Sequence, residues 1–215
     1  MKPNLKALTD TQKRLWPELA ETPQHFTLYG GVAIALRFNH RQSADFDFFS
    51  SQNFDPQELY RKVPYLKNAQ VLQMQEGTLT CSVDRDGPVK LSFFGLPTLG
   101  EVEPPEMLSD IKIKVASLID LAGTKASTIQ RRAASRDYLD LDVLISEGNV
   151  ELESALVAAR QLYGSMFNPQ ITIKALTYYG DGDLKRVSSA VQARLIEAVH
   201  RVDSRRLAAR LARLS

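Results

Sequence analysis

LYGGVAIALRFNHRQSADFDFFS, residues 28–50, carries the clearest pattern of secondary structure in the chain. It begins inside a β-prone run that stops at Gly30 and Gly31, and residues 32–38 continue with a composition compatible with a helix. Its last part, residues 45–49, alternates polar and aromatic side chains at period two, which is typical of a strand. The succession of strand, glycine pair, helix and strand predicts an α/β unit.

The same stretch carries the residues that indicate a chemistry. Asp45 and Asp47 stand at positions i and i+2 of the predicted strand, so both side chains project from one face. Two neighbouring carboxylates are electrostatically costly without a cation, and carboxylate oxygens are ligands that Mg²⁺ shares with substrate phosphates. A glycine pair that opens a helix lets backbone N–H groups approach a phosphate. Either half alone is a weak signal, but together they predict phosphoryl or nucleotidyl transfer.

The flanking sequence predicts two domains. On the N-terminal side we expect a helix over residues 5–19, strands over 71–75 and 78–83, and a hairpin in which Asp86-Gly87 leads into a strand over 89–94. Residues 95–105 contain three prolines and two glycines and are the predicted boundary. Beyond them the pattern predicts four helical stretches, over residues 118–146 with a turn near Gly123, 151–163, 169–179 and 189–214. The predicted domains are an α/β domain, residues 1–105, and a helical domain, residues 106–215.

The composition excludes several classes of protein. The chain has 215 residues, of which 44% are hydrophobic and 24% charged, the profile of a soluble globular protein. No apolar run approaches the ~18 residues of a transmembrane helix, and the first residues lack the apolar segment of a secretory signal. The single cysteine, Cys81, excludes an internal disulfide or a multi-cysteine zinc site. We therefore expect a cytoplasmic protein with no membrane partner.

The net charge of +2 is unevenly distributed along the chain. Residues 184–215 contain eight basic and two acidic side chains, which gives this tail a charge of +6 and the remainder −4. Such a split is consistent with a nucleic-acid or phosphate-bearing partner at the C-terminal end. It is equally consistent with the solvated face of an arginine-rich helix, and both interpretations stay open at this point.

Two blocks of sequence resemble one family. The first is residues 28–37 with 40–50, and the second comprises Asp120-Leu121-Ala122-x-x-Lys125, Arg132 and the run Arg136–Leu141. Both resemble the AbiEii/AbiGii toxin family of nucleotidyltransferases, which belongs to the DNA polymerase β-like superfamily. The blocks occur in the order found in that family, and the span from residue 28 to 145 covers more than half of the chain.

The resemblance implies a fold and an activity. The implied fold is α+β, a polymerase β-like nucleotidyltransferase domain with a mixed sheet followed by an α-helical C-terminal domain. The implied activity is Mg²⁺-dependent transfer of NMP from an NTP to an acceptor hydroxyl, with Mn²⁺ as the alternative cation. The implied acceptor is RNA, such as the 3′ end of a tRNA, and the implied context is the toxin of a toxin–antitoxin or abortive-infection system with a cognate antitoxin protein.

The resemblance also assigns roles to individual residues. Gly30 and Gly31 match the family's glycine turn for the triphosphate, and Asp45 and Asp47 match its metal ligands. Lys125 matches a lysine that contacts phosphate. The remaining candidates are Asp137 and Asp140, as general base or third carboxylate, and Ser43, as a nucleotide-binding hydroxyl or a local cap.

The chain departs from the family pattern in ways that leave alternatives open. Val32 follows the glycines where relatives commonly carry a small hydroxyl residue, and Ser92 stands where many polymerase β-like enzymes have a third metal-binding aspartate. A second metal would therefore require Asp137 or Asp140. The alternatives to RNA modification are transfer to a small-molecule or protein hydroxyl, and a catalytically weak, nucleotidyltransferase-like binding partner.

Overall fold

The structure, a computed structural model, describes residues 1–214. The chain forms two compact units, the first comprising residues 1–99 and 104–117 and the second residues 100–103 and those from 118 onward. The sequence placed the boundary at residue 105, whereas residues 104–117 group with the first unit. Ser215, the last residue of the predicted helical domain, lies outside the described residues.

The first unit contains a mixed sheet, so the predicted α+β class is confirmed. Its described strands are β1 (Thr27–Tyr29), β2 (Asp45–Ser50), β3 (Gln70–Gln75), β4 (Thr78–Asp84), β5 (Pro88–Gly95), β6 (Glu106–Met107) and β7 (Lys114–Val115). Their order in the sheet is β3-β4-β5-β2-β1-β7-β6, with β2 parallel to β5, β1 parallel to β7 and the other neighbours antiparallel. The hairpin predicted at Asp86-Gly87 is confirmed as the turn between β4 and β5.

Alternation along β2 separates the core face of the sheet from the face that carries the aspartates. Phe46 and Phe48 are fully buried, and Phe48 stacks on Phe93 of β5 with ring centroids 5.2 Å apart. Burial of each such ring stabilises the fold by about 2 kcal/mol. Because side chains alternate along a strand, the packing of these phenylalanines fixes Asp45 and Asp47 on the opposite face.

Three α-helices belong to the first unit, α1 (Asp10–Leu15), α2 (Gly30–Phe38) and α3 (Pro56–Lys62). The single helix predicted over residues 5–19 is wrong, since α1 lies between two 3₁₀ segments, Leu5–Ala7 and Trp16–Glu21. Pro17 lies near the start of the second 3₁₀ segment, where its missing N–H removes a donor that the continuation of α1 would need.

The second unit is helical in its described residues, with α4 (Leu118–Arg131), α5 (Ser135–Ser146), α6 (Leu152–Tyr163), α7 (Pro169–Ala175), α8 (Ser189–His200) and α9 (Ser204–Ala212). The turn predicted near Gly123 is wrong, because Gly123 lies inside α4. A Cβ atom at Gly123 would lie 2.9 Å from the backbone nitrogen of Ala159 in α6. The glycine therefore permits close packing of α4 on α6, and the helical stretch breaks instead at residues 132–134.

The predicted long helix over residues 189–214 is also divided. α8 ends at His200, and α9 begins after Asp203, whose carboxylate accepts hydrogen bonds from the N–H groups of Arg205 and Arg206. Asp203 is thus an N-cap that the apolar periodicity did not reveal. No helix within residues 1–214 is long and apolar enough to cross a membrane.

Candidate active site

The start of α2 lies directly against the aspartate strand. Tyr29 ends β1 opposite Asp47, and Gly30 begins α2 with φ +74°. A Cβ atom at Gly30 would lie 2.6 Å from Asp47 Oδ2, well inside van der Waals contact. Two features therefore exclude a side chain at Gly30, the left-handed backbone conformation and the neighbouring carboxylate.

The loop of residues 39–44 packs against the next glycine. A Cβ atom at Gly31 would collide with Arg41 Nη2 and would lie 2.6 Å from Ser43 Oγ. The structure thus brings together four of the predicted site residues, Gly30, Gly31, Ser43 and Asp47. The N-cap residue, Tyr29, makes no side-chain capping hydrogen bond, and the N-terminus of a helix favours an anion. This arrangement suits a phosphate group held beside a carboxylate.

Asp45 lies on the same face of β2 as Asp47, beside a lysine. Asp45 pairs in register with Lys90 of β5, and Lys90 Nζ lies 3.5 Å from Asp45 Oδ2. Asp47 pairs in register with Ser92, which is 3% exposed and accepts a long, 3.5 Å hydrogen bond from Thr80 Oγ1. Next to Asp45 and Asp47, β5 therefore offers an ammonium and a hydroxyl and no third carboxylate.

The two aspartates fit a divalent cation that takes further ligands from a substrate. Both are partly exposed and project from one strand face, and their oxygens are the hard ligands that Mg²⁺ prefers. Within residues 1–214 no three acidic, histidine or cysteine side chains are grouped closely enough to hold a metal ion unaided. A cation at Asp45 and Asp47 therefore needs water or phosphate oxygens, as expected of a nucleotide–metal complex.

The second unit contains the other predicted site residues in a buried ionic network. Lys125 Nζ on α4 lies 2.9 Å from Asp137 Oδ1 and 2.6 Å from Asp140 Oδ2, both on α5. The side chains of Asp137 and Asp140 are completely buried, and that of Lys125 is 8% exposed. The spacing of three residues on α5 places both carboxylates on one helix face, as predicted. Lys125 is thus an ammonium already shared by two carboxylates.

Arg132 completes this network on the side of Asp137. Its Nε donates to Asp137 Oδ2 at 2.7 Å and its Nη2 donates to Asp137 Oδ1 at 3.2 Å, a bidentate pair. Burial alone raises the pKa of Asp137, but the hydrogen bonds and charges of Arg132 and Lys125 outweigh it, so the net pKa is lowered. Asp137 is therefore held ionised and is a weak proton acceptor.

Two residues beside the aspartates, Lys90 and Gln12, were not predicted from the sequence. Lys90 could have been found by extending the period-two pattern of β2 onto the paired strand β5. The side-chain amide of Gln12 donates to the carbonyl oxygens of Ser43 and Ala44, next to Asp45. Its only local signal is the Thr9-x-x-Gln12 spacing of a capping box.

The arginine-rich tail is largely paired within its own unit. Arg194 forms a bidentate pair with Asp142, and Arg201 pairs with Glu197 at 3.0 Å. Arg206 and Arg210 both bind Glu153, at 2.8 and 2.9 Å, and the Glu153 side chain is only 2% exposed. Four of the tail arginines therefore have acidic partners. The charge excess counted along the sequence overstates the positive charge that the tail can offer to RNA phosphates.

The Glu153 network leads to a prediction about stability. Replacing both Arg206 and Arg210 by Gln is expected to lower the free energy of unfolding by about 2 kcal/mol at neutral pH, because a buried carboxylate loses two charged donors. Urea denaturation measures the change. Arg205→Gln on the same helix is the control, and an exposed substitution of this kind should cost less than about 0.5 kcal/mol.

The pH dependence of this loss follows from the pKa of Glu153. Burial raises that pKa, but hydrogen bonds and charges from Arg206 and Arg210 lower it below the ordinary 4.5. A lowered folded-state pKa contributes stability that is complete above 4.5 and lost as pH falls through the folded value. The difference in free energy of unfolding between wild type and the double variant should therefore disappear as the pH is lowered. An equal loss of stability in Arg205→Gln, or a difference that does not change with pH, would contradict the proposed role of the Glu153 ion pairs.

Comparison with known proteins identifies related sequences. A family model described as "Nucleotidyl transferase AbiEii toxin, Type IV TA system" matches residues 14–214. An uncharacterized protein of Aquifex aeolicus is 32% identical over 160 residues, which cover 73% of this chain and 74% of that protein. The matched range spans the positions of both glycines and of the five predicted acidic and basic site residues.

Solved structures share the fold at low sequence identity. MenT4, a nucleotidyltransferase toxin from Mycobacterium tuberculosis, superposes with a TM-score of 0.58 over 94% of this chain and 90% of its own. JHP933 from Helicobacter pylori superposes with a TM-score of 0.57 over 94% of this chain and 91% of its own. Both are 16% identical to this chain, so these likenesses establish the fold alone.

Proposed function

Since the chain belongs to the AbiEii nucleotidyl transferase toxin family of type IV toxin–antitoxin systems, we propose that it moves NMP from an NTP to a hydroxyl of RNA, such as a tRNA 3′ end, with Mg²⁺. The class of enzyme, a nucleotidyltransferase, follows from the family. The observation that carries the proposal is the contact between Gly30, at the start of α2, and the carboxylate of Asp47. The family also implies a cognate antitoxin as partner.

The residues of the first unit suggest how the reaction proceeds. Asp45 and Asp47 would hold the divalent cation, which supplies neutralisation of triphosphate charge. The N–H groups at the start of α2 and the Ser43 hydroxyl would bind phosphate oxygens and hold the α-phosphorus in line with the acceptor. The acceptor hydroxyl would give its proton to a base as its oxygen bonds to the α-phosphorus, while the bond from that phosphorus to the bridging oxygen breaks and pyrophosphate leaves.

The roles proposed for the second unit are narrower. Lys125 stays a candidate for phosphate contact, a role in which it would exchange one of its two carboxylate partners for substrate. The lowered pKa of Asp137 weakens its ability to accept a proton and so counts against it as the base, and Asp140 is the other candidate. Single-turnover rates of Asp137→Asn and Asp140→Asn separate these two candidates.

One observation favours a second candidate acceptor. Because Arg194, Arg201, Arg206 and Arg210 are paired internally, the case for RNA rests mainly on the resemblance and less on the charge of the tail. A protein or small-molecule hydroxyl is therefore the second candidate. To distinguish them, each labelled NTP is incubated with Mg²⁺ and a cell extract, and the product is treated with ribonuclease or protease. Ribonuclease-sensitive label supports RNA, and protease-sensitive label overturns it.

Gly30→Ala tests the contact on which the proposal depends. A methyl group there would displace the Asp47 carboxylate, so we expect kcat/KM for NTP to fall by about a hundredfold, the cost of misplacing a reacting group by roughly 1 Å. Gly164→Ala is the matched control, because Gly164 has φ +59° and no neighbouring atom within 4 Å of an added Cβ. Like Gly30 it has a positive φ, so the variant also carries backbone strain but displaces no carboxylate, and it should retain wild-type kinetics. Equal activity in both variants would remove the support for a site at Gly30.

A further inference from the structure

Gln12 is a buried amide that connects α1 to the loop in front of the aspartates. The residue is 1% exposed. Its Oε1 accepts a hydrogen bond from the N–H of Thr9 at 2.9 Å, and its Nε2 donates to Ser43 O at 2.8 Å and to Ala44 O at 3.0 Å. The partners fix the orientation of the amide, because an N–H must face its oxygen and carbonyls must face its nitrogen.

The two carbonyls that Gln12 binds belong to consecutive residues. Successive carbonyls of an extended strand point in opposite directions, so two that meet one amide nitrogen mark a local turn. Gln12 holds this turn immediately before Asp45, the first residue of β2. The same turn carries Ser43, whose Oγ lies against Gly31 at the start of α2.

We propose that Gln12 is a positioning residue that fixes the Ser43–Asp45 segment against α2 and thereby sets the affinity for NTP and its divalent cation. This inference rests on the proposed function of the same site. Gln12 touches neither substrate nor cation in this role and acts through the backbone of Ser43 and Ala44. Because hydroxyl and carboxylate are carried by adjacent parts of one turn, a shift of this turn displaces both groups together.

Gln12→Glu is the most informative variant because it turns the donating Nε2 into an acceptor, leaves the accepting Oε1 as it is and keeps the length of the side chain. One carboxylate oxygen can still accept from Thr9, while the other faces two carbonyl oxygens and repels them. We expect kcat/KM for NTP to fall about tenfold to a hundredfold, mostly through KM. Burial raises the pKa of the new carboxyl, and its protonation restores one hydrogen-bond donor. The kcat/KM of Gln12→Glu relative to that of wild type should therefore rise as the pH is lowered from about 8 to about 6.

Thr9→Ala and Gln12→Met complete the set. Thr9 Oγ1 accepts from the backbone N–H of Gln12 at 3.3 Å, so Thr9→Ala weakens the α1 cap and leaves all three side-chain bonds of Gln12 in place. Gln12→Met keeps the packing volume and removes the amide, which provides a neutral variant if Gln12→Glu does not fold. A residue that merely caps α1 would give Thr9→Ala and the Gln12 variants the same kinetics.

The experiment measures binding and backbone protection as well as activity. Calorimetry with Mg²⁺ and an NTP analogue that cannot be cleaved gives affinity, and amide hydrogen exchange follows residues 41–47. The proposal predicts weaker analogue binding and faster exchange in both Gln12 variants, with Thr9→Ala close to wild type. Gln12 variants within twofold of wild type in both measurements, or a Thr9→Ala variant with the same losses, would overturn it. Wild-type protein that neither binds the analogue nor transfers label would instead overturn the proposed function, and with it this assignment.

Discussion

Asp47→Asn is expected to abolish nucleotidyl transfer, with a fall in kcat/KM of about a thousandfold or more. Asparagine has nearly the same size as aspartate, so packing against Gly30 is retained while the negative charge that would hold the cation is lost. Asp45→Asn should have a similar effect, because the cation needs both carboxylates beside the phosphate oxygens. Transfer rates measured over a range of NTP concentrations give the loss in kcat/KM.

The fold of these variants should remain intact without metal. Removal of one charge relieves the repulsion between two neighbouring carboxylates and also weakens a partly exposed ion pair such as Asp45–Lys90, so the melting temperature should change by less than about 3 °C. Asp86→Asn is a matched control, because Asp86 lies in the β4–β5 turn with its side chain 82% exposed and tolerates the same change of charge. Near-normal transfer by purified Asp47→Asn protein would refute the metal assignment. A large loss of melting temperature would indicate a structural role for Asp47.

Lys125→Met is expected to reduce the free energy of unfolding by about 3–5 kcal/mol. The substitution leaves Asp140 without its ammonium and Asp137 with Arg132 alone, although both carboxylates are fully buried. Methionine retains most of the side-chain volume, so lost packing contributes little. The double variant Lys125→Met with Asp140→Asn should recover part of the loss, because it removes one of the two buried negative charges that lose the Lys125 ammonium. Urea denaturation of the three proteins measures these differences.

The stability lost in Lys125→Met should depend on pH in a defined direction. The folded-state pKa of Asp137 lies below its ordinary 3.8, so its ion pairs contribute fully above 3.8 and the contribution disappears as pH falls through the folded value. The difference in free energy of unfolding between wild type and Lys125→Met should therefore become smaller as the pH is lowered. A fully stable Lys125→Met protein with a raised KM for NTP would contradict the structural role and favour the phosphate contact predicted from the sequence.

The aspartate strand and its hairpin could be predicted because their signals are local. Alternation over six residues places Asp45 and Asp47 on one face whatever surrounds them, and the Asp86-Gly87 turn is specified by two residues. The helical breaks at residues 132–134 and 201–203 could not, since apolar periodicity continues across them. The turn predicted near Gly123 was wrong for a related reason. The glycine allows Ala159 of another helix to approach closely, and nothing in the neighbouring sequence reveals that contact.

The residues of the candidate site also differ in whether a local sequence signal reveals them. The glycine pair and the two aspartates follow from spacing along one short segment, whereas Gln12 and Lys90 reach that segment from distant parts of the chain. The charge of the tail shows the limit of composition most clearly. Glu153 lies far from Arg206 and Arg210 in sequence, so counting charges along the tail overlooks the carboxylate that neutralises them.

Two labels on the same NTP show which phosphorus the protein transfers. Purified protein is incubated with Mg²⁺, an acceptor-containing extract and NTP labelled at either the α- or the γ-phosphate. We expect that only the α-label enters the acceptor, that pyrophosphate is released in equal amount, and that Asp47→Asn protein gives neither product. Transfer of the γ-label, or transfer of the α-label that is unchanged in Asp47→Asn, would refute nucleotidyl transfer at Asp47.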